Sequence, residues 1–138
     1  MSLASQINLL ATAIGQKIKA VQVHQIVLSI ASDPLVVGTG IVQFVAMRAC
    51  TITGVRATVA VGKAPTGASV IFDVNKNGTT IFTTQGNRPT IAISATVSAA
   101  LAVPNVVSLA AGDVLTVDVD QIGSTLAGSL ATLTIGMY

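Results

Sequence analysis

Apolar residues recur at Leu3, Ile7, Leu10, Ile14, Ile18 and Val21, the three-and-four spacing of one face of an α-helix, with Ala4, Ala11, Ala13 and Ala20 between them. This pattern predicts a short N-terminal helix on the order of 30 Å long, at about 1.5 Å per residue. Ser2 and Ser5 are candidate caps, and Lys17 and Lys19 fall in the last turns, where a positive charge suits the helix dipole. At most three heptads are available. That is marginal for a helix alone in water and sufficient for one packed against copies of itself. Leu3, Ile7, Leu10, Ile14, Ile18 and Val21 are therefore the candidate oligomer interface. The alternative is a helix folded back on its own domain.

Periodicity becomes mixed over Val21, Val23, His24, Ile26, Val27, Leu28 and Ile30, where continued helix and a first strand both fit, and Asp33-Pro34 then closes the segment as a turn. Beyond Pro34 the pattern changes to β-branched residues in short alternating runs. The predicted strands are 41–47, 50–61, 69–74, 79–83, 90–97, 106–109, 114–120 and 129–137. Gly, Pro and Asn clusters separate them, among them Asn75-Lys76-Asn77-Gly78, Gly86-Asn87-Arg88-Pro89 and Ala111-Gly112-Asp113. About eight short strands imply two packed antiparallel sheets, with a jelly roll as the expected topology. The expected organisation is a mainly β protein: residues 1–32 form a helix and connector for oligomerisation and attachment, and residues 33–138 form a β-sandwich. Ala57, Ala60, Ala68, Ala92 and Ala95 are expected to fill a thin core.

Composition sharpens this picture. Of 138 residues, 51% are hydrophobic, 9% charged and 3% aromatic, with no Trp, and the mean hydropathy is +0.79. Disorder needs the opposite balance of hydrophobicity and charge. A surface so poor in charge suits a chain packed against copies of itself or against neighbours. The formal net charge is +2, and the basic residues are scattered without aromatic interleaving, so no nucleic-acid partner is expected. Polar residues and prolines interrupt the longest uncharged stretch, roughly residues 89–112, so no membrane insertion is expected. The opening residues do not read as a secretory signal.

Candidate chemistry is sparse. Asp73-Val74-Asn75-Lys76-Asn77-Gly78 matches the first half of a calcium loop, but its twelfth position is Thr84 and the chain contains no Glu. A hairpin turning on Asn77-Gly78 is the stronger reading. Asp118 and Asp120 lie two apart on a predicted strand and share a face, as paired carboxylates in glycoside hydrolysis can. Here they alternate with Val117 and Val119 as a solvated outer face, with Arg56 or Arg88 as candidate partners. His24 has no acid or nucleophile near it in sequence, and Cys50, in an apolar strand, reads as a core thiol. No catalytic residue, metal ligand or cofactor is expected.

The run from Ala64 to Phe82, APTGASVIFDVNKNGTTIF, resembles a segment of tailed-bacteriophage tail fibre and minor tail proteins. Asn87-Arg88-Pro89-Thr90-Ile91 and the run from Ala110 to Ser124 follow in the order seen in such β domains. Leu3 to Ile7 and Ala13 to Ala20 are similar to the N-terminal helix of phage fibre proteins. The resemblance implies a virion structural protein, a homotrimer with a helical stem and a β-sandwich head. It implies other virion proteins as partners, and a host surface receptor as a further candidate. The expected function is a fibre-like tail component attached to the virion through its N-terminal helix; the alternative is a capsid decoration protein or head fibre.

Overall fold

A computed structural model describes residues 1–21 and 24–138; for Lys19, Ala20 and Val21 it describes the backbone path alone. Helix α1 covers Leu3–Val21, as the apolar spacing predicts. Ser2 caps it: its Oγ accepts a hydrogen bond from the Ser5 N–H at 3.2 Å, and its carbonyl accepts the first helical bond from Gln6.

Nine strands follow among the described residues: β1 (His24–Ile30), β2 (Gly38–Val45), β3 (Cys50–Thr58), β4 (Val70–Lys76), β5 (Thr79–Thr80), β6 (Thr90–Ile91), β7 (Ser108–Leu109), β8 (Val114–Gln121) and β9 (Ala131–Met137). Their pairing is that of one long hairpin rolled up. From the outside inward, β1 pairs β9, β2 pairs β8, β3 pairs β7, and β4 pairs both β5 and β6, all antiparallel. Rolling adds the β3–β9 and β4–β8 pairings. The result is two sheets, ordered β1-β9-β3-β7 and β2-β8-β4-β5, with β6 also on β4. This is the jelly-roll form of the β-sandwich.

Alternation explains which residues fill it. Leu115, Val117 and Val119 of β8 and Leu133, Ile135 and Met137 of β9 point between the sheets, where they meet Phe72, Val74, Phe82 and Ile52. Of the alanines expected inside, only Ala57 is fully buried; Ala92 is exposed. Ala46, Ala102 and Ala131 supply the small buried side chains instead.

Two expectations need correction. The segment left open between helix and strand is strand β1, paired residue for residue with β9 from His24↔Met137 to Ile30↔Ala131. Leu28 and Ile30 are buried in the core. The sandwich thus takes in residues 24–30, which were expected in the connector. Several strands are also shorter than predicted. Residues 90–97 do not run as one strand: Thr90–Ile91 pair with β4 and Val97 makes a single bridge to Thr58, and between them Ser94 takes a positive φ of 64° and its N–H bonds to the Pro65 carbonyl. Residues 79–83 pair only at Thr79–Thr80, after which the Thr80 hydroxyl takes the Phe82 N–H and the chain turns Ile81 and Phe82 into the core.

Candidate assembly surface

The helix presents the predicted face to solvent. Leu3 (72%), Ile7 (55%), Leu10 (62%), Ile14 (49%) and Ile18 (52%) are all exposed. At 100° per residue, Leu3 to Val21 in the predicted set fall within an arc of about 80°. The helix is not folded back on the domain along this face. The side chain of Val21 lies outside the described residues. Leu9 is also exposed, away from this arc. Covering the face removes five or six Leu, Ile and Val side chains from water, each contributing about 1.5–3 kcal/mol when fully buried. That total is comparable with the cost of association, about 4–15 kcal/mol.

The remaining sequence candidates resolve into structural roles. Asp73 to Gly78 forms the hairpin between β4 and β5, with φ of +50° at Asn77 and +83° at Gly78, the two positive values a type I′ turn requires. Asp73 turns away from the loop and accepts hydrogen bonds from the Thr80 hydroxyl and the Val74 N–H. It is almost fully buried, and burial pushes its carboxyl above the usual range. Asp118 and Asp120 do share the outer face of β8, alternating with buried Val117 and Val119. Each is already engaged. Asp118 accepts from the Gly40 N–H at 2.7 Å and from Asn75 Nδ2 at 2.8 Å, which fixes the irregular turn of β2 where Gly40 has a φ of +61°. Asp120 pairs with Arg88, whereas Arg56 donates to the Ser98 carbonyl.

His24 opens β1 opposite Met137 and lines a cavity of about 90 Å³ with Ala46, Met47, Arg48, Cys50 and Met137. The Cys50 thiol is half-buried at the rim of the core, 3.6 Å from Met137 Sδ. Among the described residues, no three His, Cys, Asp or Glu side chains gather as a metal site would need.

Sequence pattern places Asp113 just before the strand that carries Asp118 and Asp120 but does not show what it binds. Its carboxylate accepts from the Ala110 N–H and from Asn77 Nδ2, and pairs with Lys76 at 2.9 Å. The Lys76 ammonium, then the Ala110 and Asn77 donors, hold its pKa down at about 2. Asn77 also exchanges bonds with Val114, so the β4–β5 turn is tied to the turn before β8. The hint in the sequence is an Asp directly before a strand, but its side-chain partners Asn77 and Lys76 lie 36 and 37 residues away.

No helix of the described residues is long and apolar enough to cross a membrane. Compared with family models, curated proteins and solved structures, the chain matches none.

Proposed function

We propose that this chain is a structural protein of a tailed-bacteriophage virion, a fibre-like tail component that forms a trimer and attaches through α1. The observation that carries the proposal is an apolar helix face left wholly in solvent beside a sandwich whose core is complete without it. A surface of this kind is kept for a partner. The resemblance of the helix and of residues 64–82 and 110–124 to phage fibre and minor tail proteins names the class of assembly. The jelly roll is in keeping with it, since virion proteins use that architecture repeatedly.

The test is binding to virions that lack the native protein. Full-length chain should bind, and Leu10→Asp/Ile14→Asp, altered only at exposed helix positions, should remain folded yet lose at least nine-tenths of the binding. Undiminished binding by the variant overturns attachment through α1.

A second reading, a capsid decoration protein or head fibre, is favoured by one observation. The β domain itself exposes large apolar residues at its two ends, Met47 at 86% and Val61 at 95%. Electron-microscopy density of labelled protein on head rather than tail would select it.

A further inference from the structure

The two sides of the sandwich are built differently. On one side the sheets finish in β5, β6 and β7, each two residues long. There the Asn105 N–H bonds to the Ile81 carbonyl, and the ion-paired Lys76 also donates to the Ser108 carbonyl. On the other side the sheets finish in β1 and β2, seven and eight residues long. Neither strand carries Asp, Glu, Lys or Arg; β1 has no proline and no register shift, whereas β2 has one irregularity, between Gly38 and Val42. Proteins that remain free in solution blunt open edges of this length with charge, proline or bulges, because unpaired backbone invites another chain. After Asp33, a second uncharged run extends from Pro34 to Met47, with Val36, Val37, Ile41 and Val45 exposed along it and Val27 exposed on β1.

Two features select the occupant. The first is the tether: β1 begins three residues after α1 ends, at most about 11 Å of chain at 3.8 Å per residue. Helices that bundle therefore hold the β1 edges of the copies close together. The second is charge. Near a rotation axis each residue meets its own counterpart, so any charge placed there repels its copy. An uncharged strip beside the tether removes that repulsion, whereas a partner of different sequence gains from complementary charge. We propose that the β1–β2 side of the sandwich is a second interface between copies of this chain, continuous with the α1 bundle. The proposal rests on the self-association proposed above.

Sedimentation velocity over a concentration series tests it with the full chain. Val37→Asp/Ile41→Asp should raise the dissociation constant at least tenfold with an unchanged circular dichroism spectrum. Ile93→Asp, an equally exposed position outside the strip, should stay within twofold of the parent. Association of Val37→Asp/Ile41→Asp as tight as the parent's overturns this interface and leaves the helix contact standing. A parent that is monomeric at every concentration overturns both. Hydrogen exchange on the unmodified chain gives an answer independent of any variant. Peptides covering 24–30 and 36–45 should exchange more slowly in the assembled protein than after dilution, and equal rates overturn the proposal.

Discussion

Asp73 on β4 and Asp113, which is bonded from the turn before β8 to the β4–β5 turn, respond to acid with opposite signs. The folded pKa of Asp113, about 2, is below the ordinary 3.8. Its contribution to stability is therefore complete above about pH 4 and is lost as pH falls toward 2. Urea unfolding at pH 7, 4 and 2.5 should show the gap between parent and Asp113→Ala closing across the last interval, and a constant gap would contradict the assignment. Asp73 has a folded pKa raised by burial, so its charged form costs stability above that pKa and protonation relieves the cost. Asp73→Asn, which mimics the protonated state and keeps an acceptor for Thr80, should compare more favourably with the parent at pH 7 than at pH 3. The reverse order would refute the role given to burial. Local chemistry of this kind is partly legible in sequence. Asn77-Gly78 announces its turn because few other pairs tolerate two positive φ values, while the Asp113–Lys76 pair joins elements that only the rolled sheet brings together.

Among the elements, α1 was readable because six apolar residues repeat at the helical period and a serine stands at the cap. Strand β1 was not, because the run Ile26-Val27-Leu28 following α1 fits a continued helix as well as a strand, and its pairing partner β9 lies more than a hundred residues later. Likewise β5 and β6 stop short of their alternating patterns where Thr80 and Ser94 divert the backbone. Placing β1 in the sandwich has a thermodynamic consequence. A chain lacking residues 1–21 should retain its strand circular dichroism and cooperative unfolding. A chain lacking 1–32 also removes Leu28 and Ile30 from the core and should be less stable by roughly 4 kcal/mol or more, given about 2–5 kcal/mol for each large buried side chain deleted. Equal urea midpoints for the two truncations would show β1 to be dispensable.

For the whole molecule, sequence gave the class of fold through strand count and turn spacing, and the jelly-roll expectation matches the observed nesting of strands. The candidate assembly face was legible to the extent that it is helical; the uncharged sheet edges became visible only once strand order showed β1 and β2 at the open side. An assembly held by such surfaces should be nearly indifferent to ionic strength, because screening acts on charges it does not use. Raising sodium chloride from 50 to 500 mM should change the dissociation constant by less than about threefold, and ammonium sulfate should tighten association by favouring burial. Dissociation by moderate sodium chloride would instead point to the scattered Lys and Arg residues.

The register His24↔Met137 also fixes the polarity of the sandwich. The last strand returns beside the first, so Tyr138 leaves the sandwich at the end where β1 enters it. The loops carrying Asp33, Lys63, Thr66 and Leu126, bonded to one another in pairs, cap the far end. Under the proposed attachment through α1, a peptide appended after Tyr138 would be crowded against the docking site. One inserted at Val61-Gly62, where the side chain is almost bare and the backbone already bends away, would project outward, making that loop rather than the C-terminus the place to carry cargo.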